Sequence, residues 1–405
     1  MLAILEAHPV QYHAPVYRAL QGEFGIPVTA IYGSDIGVAG YRDREFGVSL
    51  AWDTDLLAGY DARFVARANG CADGETDDVR ARSAGELLRK LKPNAVMLVG
   101  YGSRFDRAAV YEAWRTRLPL LFRAETTDHA VTRTTGRNWL RDSALRLLYR
   151  RFERVLYIGE RSLHHYQRLG VPDHKLIFSP YCVDTASFAC DEASRANLRA
   201  EGRRELAVTD SDLVLLFAGK ISERKGPDVL LRAMRELPES LSSRMCVCFL
   251  GDGQLKDQMM ELAAAAPVVR TRFLGFQNQT RLSRYYHAVD LLVLPSRWGE
   301  TWGLVVNEAL HHGVPCVVSD VVGCAPDLIR AGVTGHVFET GSASSLAGAL
   351  SEAMSLVGNT ETRDRCRQQV SLYTVQEAAR GIAQAYEEAT RSSNDECFDR
   401  IATMM

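Results

Sequence analysis

A rhythm in the chain constrains its fold more than any single motif. Short apolar runs that close on Gly or Ser alternate with longer amphipathic stretches, and the series occurs twice. In the first half "LAILEA", "VTAIYG", "AVMLVG", "LPLLFRA" and "RVLYIG" read as strands, and in the second half "LVLLFAG", "MCVCFLG", "VRTRFLG", "LLVLPS" and "PCVVSD" do. Apolar runs of this length suit parallel strands buried on both faces. Helical patterns such as "GPDVLLRAMREL" and "GQLKDQMMELAAAA" lie between them, and strand–helix–strand alternation builds a doubly wound parallel sheet. Two such series in 405 residues predict two facing α/β domains, over 1–184 and 185–372. The joint falls near Asp184, within "LIFSPYCVDTASF". A last helix, "VQEAARGIAQAYEEATR" within 373–391, is expected to cross back to the first domain. Residues 392–405 read as a polar tail with the composition of a disordered terminus.

The balance of 48 basic against 50 acidic residues leaves no global pull toward nucleic acid. Nine cysteines, scattered and without a CxxC pair, read as reduced and mostly buried thiols of a cytoplasmic protein. The start "MLAILEAHPVQ" lacks a basic leader region and reads as a first strand rather than a signal peptide. No apolar run approaches the ~20 residues of a membrane span. One segment, "RNWLRDSALRLLYRRFER", sets Arg141, Arg150, Arg151 and Arg154 beside Trp139, Leu140, Leu145, Leu148 and Phe152. That pattern suits either a solvated surface helix or a basic amphipathic helix lying on an anionic membrane face.

The chemistry concentrates in "PSRWGETWGLVVNEALHHGVPCVVSD". Gly313 and Pro315 mark a helix end, so the helix "GLVVNEALHH" starts near Gly303. Glu308 lies inside that helix and Glu300 in the glycine-rich loop before it, so the two carboxylates reach different parts of one extended ligand. The helix start offers free N–H groups and a partial positive charge to an anion such as a diphosphate. Carboxylates accept hydrogen bonds from sugar hydroxyls. Upstream, in "LLFAGKISERKG", a strand ends before Gly219, and Lys220, Arg224 and Lys225 follow. They are placed to hold a diphosphate leaving group. A sugar joined to a ribose through a diphosphate satisfies all these features.

These residues resemble the retaining glycosyltransferases of family 4, which have the GT-B architecture of two facing Rossmann-like domains. The resemblance rests on Glu300, seven residues, then Glu308, bracketed by "VDLLVLPS" and "HGVPCVVSD". It extends to "SPYCVDTASF", "AGKISERKG", "FLGDGQL" and "RAGVTGHVFETG". It implies that Glu308 holds the nucleotide ribose and that Glu300 contacts the donor sugar. Lys220 and Lys225 neutralise the diphosphate, and the amides of Trp302, Gly303 and Leu304 face sugar and phosphate. The base is expected around Gly251 to Gly253 and Gly275, Phe276 and Gln277. Two positions depart from the family pattern: Lys220 stands where Arg is usual, and Cys182 where Gly is usual.

In the first domain "EAHPVQYHAPVYRAL" takes the place of a glycine-rich loop, and it resembles a bacterial subset of the family. His8, Gln11 and His13 are the candidates there for contact with sugar, phosphate or acceptor; a capping and packing loop is the alternative. Arg123 and Glu125 at the end of "LLFRAE", with Tyr101 in "VGYGS", are the remaining acceptor-side candidates. The expected activity is retaining transfer from a nucleotide-diphosphate sugar to a saccharide or lipid-linked saccharide, in polysaccharide or glycoconjugate biosynthesis. It needs no cofactor or metal, and the protein works in the cytoplasm with peripheral contact to the membrane. A nucleotide-sugar epimerase on the same fold, a pyridoxal-phosphate phosphorylase and a non-catalytic scaffold are the competing readings.

Overall fold

The computed structural model describes residues 1–36, 38, 41–42, 49–50, 55–65, 82–128, 135–265 and 270–404. Among them are fifteen strands. The first domain holds β1 (Leu2–Glu6), β2 (Val28–Tyr32), β3 (Tyr41–Arg42), β4 (Ser49–Leu50), β5 (Asp61–Phe64), β6 (Ala95–Leu98), β7 (Leu120–Arg123), β8 (Arg154–Tyr157) and β9 (Leu176–Phe178). The second holds β10 (Leu213–Ala218), β11 (Met245–Leu250), β12 (Arg270–Gly275), β13 (Leu291–Leu294), β14 (Cys316–Ser319) and β15 (Gly335–Phe338). Every expected strand is present. Sequence reading missed β5 and β15, each four residues long, and the two-residue strands β3 and β4. All four sit at a sheet edge, where little apolar surface is needed and the pattern is correspondingly faint.

Seven strands form one parallel sheet in the order β5-β2-β1-β6-β7-β8-β9, and six form another in the order β12-β11-β10-β13-β14-β15. In each, the chain winds outward from a first strand and then returns to its other side. The reversal lies between β1 and β6 in one sheet, and between β10 and β13 in the other. Open α/β sheets bind ligands at the carboxyl ends of strands beside such a reversal. The loops after β1 and β10 carry "HPVQYH" and "GKISERKG", so topology alone brings the suspected residues to those two points.

Each sheet is covered on both faces. Phe217 and Phe249 are fully buried in the second, each worth roughly 1.5–3 kcal/mol of apolar burial. The last helix runs Val375–Met404 and crosses back to the first domain. Ser179 Oγ donates to the carbonyl of Ala378 at 2.8 Å, Arg154 pairs with Glu388 at 2.8 Å, and the amino terminus donates to Tyr386 Oη at 2.9 Å. Its backbone continues past Ser392, because nothing after Gly381 breaks it: the remaining sequence holds neither Gly nor Pro. Seven cysteines among the described residues are free thiols, six of them buried.

The domains also touch directly. Trp302 of the second is buried, and a Cβ on Gly159 of the first would lie 2.3 Å from its indole ring. The Glu160 N–H donates to Asp327 at 2.9 Å, and Arg161 reaches the carbonyls of Asp320 and Val321 at 2.5 and 3.1 Å.

Candidate functional site

The helix Leu304–His311 begins where expected. Gly303 caps it with φ +105°, a left-handed geometry that costs glycine little. Glu308 is buried in this helix and accepts from Tyr286 Oη at 2.5 Å. Burial pushes its carboxyl up to about 7, with the Tyr286 hydrogen bond opposing the shift.

Glu300 is buried in the preceding loop. Its Oε2 accepts from Lys225 Nζ at 2.5 Å and from Ser296 Oγ at 2.7 Å. Burial alone would raise this carboxyl; the charge and hydrogen bond of Lys225, with Ser296, outweigh it and hold the group below its ordinary value. Lys225, expected on a diphosphate, is thus also the counter-ion of Glu300. Arg224 donates to the carbonyl of Gly299 at 3.3 Å and braces the same loop. Gly219 and Lys220 follow directly on β10, at the reversal of the sheet.

The expected base corner is closed by backbone. Gly251 N–H donates to the carbonyl of Gly275 at 2.9 Å. Gly251 has φ +142°, and a Cβ there would lie 1.9 Å from the Gly219 carbonyl oxygen, so the loops after β10 and β11 approach more closely than any side chain permits. Phe276 and Gln277 continue from β12, and Gln277 folds back onto the carbonyl of Leu274 at 2.8 Å.

Trp302 and Leu304 are buried as well. Trp302 Nε1 donates to Asn307 Oδ1 at 2.8 Å, and Asn307 Nδ2 reaches the carbonyl of Tyr181 at 3.3 Å. The Trp302 side chain therefore locks loop, helix and interdomain segment together, while its backbone stands at the helix start. Among the described residues, no group of three or more His, Cys, Asp or Glu is arranged to hold a metal ion.

The first-domain candidates divide. His13 is buried with Nδ1 2.5 Å from Glu6 Oε1, and Tyr17 Oη donates to Glu6 Oε2 at 2.9 Å. Gln11 meets Gln279 of the second domain at 3.4 Å. His8 contacts the carbonyl of Pro9 at 3.1 Å. Glu125 accepts from Tyr181 Oη and, at 3.0 Å, from Thr301 Oγ1 in the Glu300 loop, so it bridges the domains. Arg123 lies beside this cluster, its guanidinium 5.9 Å from the centre of the Tyr181 ring, and it donates to Ser179 Oγ at 2.9 Å and to the Pro180 carbonyl at 2.8 Å. Tyr101 stacks on Phe122 and accepts from Arg141 at 3.2 Å.

Five partners escaped the sequence reading: Glu6, Tyr286, Ser296, Thr301 and Asn307. Ser296, Thr301 and Asn307 stood inside the quoted motif, where position gave a hint. Tyr286 did not, since only packing brings it to Glu308.

Two opposed parallel sheets with these loops at their reversals define the GT-B class. The fold matches that of Anabaena HepE in complex with UDP and glucose, with a TM-score of 0.68 and 16% identity over 96% of this chain and 100% of that one. The architecture is shared by a putative UDP-N-acetylglucosamine 2-epimerase from Listeria monocytogenes, with a TM-score of 0.61 and 16% identity over 95% and 97% of the two chains. Fold alone therefore does not separate transfer from epimerisation. Residues 199–371 match the family described as glycosyl transferases group 1. Over 165 residues it is 37% identical to D-inositol 3-phosphate glycosyltransferase 1 of Catenulispora acidiphila, covering 36% of this chain and 37% of the relative. The chain spans less than half the length of the curated relatives it matches.

Proposed function

We propose that the protein transfers a sugar from a nucleotide-diphosphate sugar to a hydroxyl acceptor with retention of anomeric configuration. One observation carries this reading. The Lys225–Glu300 pair and Glu308 flank the start of one helix, beside the point where the second sheet reverses. Glu308 suits the ribose, Glu300 the donor sugar, and Lys220, Lys225 and the helix N-terminus the diphosphate.

The reaction breaks the bond between anomeric carbon and diphosphate and forms one to the acceptor oxygen on the same face. A phosphate oxygen of the leaving group takes the acceptor proton. Catalysis then rests on positioning and on charge stabilisation by cationic side chains, with no metal required. Residues 1–184 are the acceptor side and 185–372 the donor side, and the Glu125–Thr301 contact couples acceptor-side residues to the Glu300 loop. The intact Glu300, Glu308, Lys220 and Lys225 favour transfer over a scaffold role.

UDP, GDP, ADP, CDP and TDP should be compared for thermal stabilisation in EDTA. One nucleotide should stabilise selectively, since a ligand at 100 times its Kd adds about 2.7 kcal/mol. No response to any of them, or a response only when a divalent metal is restored, would count against the reading.

The acceptor is proposed to be a saccharide, free or lipid-linked, met at the cytoplasmic face of a membrane. Support comes from the helix Thr135–Tyr149 and its neighbour Arg104–Arg115. Trp139, Leu140 and Leu147 are 68, 64 and 60% exposed, Tyr111 and Trp114 are 55 and 49% exposed, and Arg151 lies over the Trp114 ring at 4.9 Å. Leu145 and Phe152 instead face the core. Arg146, Arg150 and Arg151 are exposed beside these apolar groups, a combination that suits an anionic lipid surface. No described helix is long and apolar enough to cross a membrane. The protein should float with vesicles containing anionic lipid, and Trp139→Glu with Leu147→Glu should abolish flotation. Equal binding to neutral vesicles, or unchanged flotation of the variant, would sink the lipid assignment.

A further inference from the structure

The helix Leu304–His311 presents its N-terminus to the donor site. Beside its other end lies a separate, open depression of about 40 Å³, walled by Arg195, Arg199, His287, His312, Asn359 and Arg363. The positive charge there exceeds the carboxylates available to meet it. Asp290, also in the wall, is fully engaged by Arg199 at 2.8 Å, by the Val214 N–H at 2.8 Å and by Arg203 at 3.4 Å. Glu192 serves Arg363 at 3.0 Å, Arg367 at 3.2 Å and Arg195 at 3.7 Å, and its side chain is 49% exposed; Arg367 also meets Asp364 at 3.5 Å.

Two buried donor positions remain unanswered. Nε of Arg363 and Nε of Arg367 are buried without a hydrogen-bond partner. His287 is 2% exposed, and its Nε2–H donates to the Ala189 carbonyl at 2.7 Å. Native structures leave few such atoms unsatisfied. The eleven-residue helix Thr360–Val370 starts at Asn359 on the rim, adding the partial positive charge of its N-terminus. Burial, then the charges of Arg363 and Arg199, pushes Arg195 down, and burial with Arg195 and Arg367 does the same to His287.

We propose that this depression binds a small dianionic oxyanion, either inorganic phosphate or a phosphomonoester, at a site distinct from the donor cleft. Guanidinium groups present paired donors that match phosphate oxygens. Glu192 is half exposed on the first turn of the helix Glu192–Glu205, so it can swing out as the anion enters. The bound anion sits one side chain from the donor site. His312 Nδ1 contacts the Glu308 carbonyl at 2.7 Å, and its ring stacks on Tyr286 with centroids 5.0 Å apart.

The test titrates sodium phosphate and glycerol 3-phosphate into the full chain by calorimetry, against sodium chloride at equal ionic strength. Wild type and Lys220→Gln should bind alike, because the donor cleft is not involved. Glu192→Gln should bind roughly two- to fivefold more tightly, having lost a competing exposed carboxylate. Arg195→Gln with Arg363→Gln should weaken binding by about tenfold or more, the cost of losing charged hydrogen bonds. Binding of only one of the two ligands identifies the source and supports the site. Heat no greater than that of chloride, binding lost in Lys220→Gln, or binding indifferent to Glu192→Gln overturns the proposal. The Glu192 variant keeps the test decisive even if the double arginine variant does not fold.

Discussion

Lys225→Ala is expected to reduce kcat/KM by about 10²-fold or more, because it removes a cation from the diphosphate and the counter-ion from Glu300. It should also cost about 3–5 kcal/mol of stability, since Glu300 would be left as a buried and unpaired charge. The pair is well enclosed, with side-chain exposures of 12% for Lys225 and 9% for Glu300. Glu300→Gln separates the two effects. It keeps the shape of the loop and the hydrogen bond from Ser296 while leaving Lys225 a partner. Turnover should fall with little change in unfolding midpoint. Steady-state kinetics alongside thermal unfolding of both variants decide the matter: wild-type turnover in Glu300→Gln removes its contact with the donor sugar, and wild-type turnover in Lys225→Ala removes its role at the diphosphate.

Glu308→Ala is expected to weaken nucleotide binding roughly 10- to 100-fold, the range for losing hydrogen bonds to a charged group. The pH dependence is a sharper signature. In the unliganded protein burial holds this carboxyl up, at about 7. Ribose hydroxyls donating to it favour the ionised form, so its pKa is lower in the complex. Nucleotide affinity should therefore be greatest above pH 7 and weaken as pH falls below that, by up to about tenfold per unit.

The unliganded chain has the opposite sign. A raised carboxyl pKa means that the folded state prefers the proton, so this group's contribution to stability is present below its ordinary 4.5 and is lost as pH rises through about 7. Glu308→Gln should flatten both dependences. Calorimetric titrations between pH 5 and 8 would show it, and an unchanged pH profile in Glu308→Gln would assign the titration to another group.

Much of this was legible from residue order. The buried strands announced themselves as apolar runs, since a strand covered on both faces tolerates few polar groups. Gly313 and Pro315 marked the end of the helix Leu304–His311, and counting back from them located its start. Glu300 and Glu308 could be placed on opposite sides of that start because loop and helix chemistry are both local. The edge strands β5 and β15 were not legible, being too short and too mixed to carry a pattern.

Partnership was the larger gap. Lys225 and Glu300 are 75 residues apart, and each looked like a ligand contact in its own right. Only the pairing of β10 with β13 brings their loops together and makes them one buried ion pair. Arg123 looked like a site residue because it ends a strand at the cleft; only the fold shows that its guanidinium holds Ser179, Pro180 and the Tyr181 ring, on the segment that joins the domains. Glu125, two residues later, was close to its expected place, yet its bond to Thr301 depends on how the two domains meet.

The sequence by itself determined the two parallel-sheet domains, the helix start between Glu300 and Glu308, and the run of cations after β10. Each follows from local spacing and hydrophobic pattern. Tertiary structure alone decided which carboxylate pairs with Lys225, why Glu308 resists ionisation beside Tyr286, and where arginines from distant helices converge around a half-exposed Glu192. Those outcomes depend on burial and on contacts between residues far apart in the chain, and a linear pattern encodes neither.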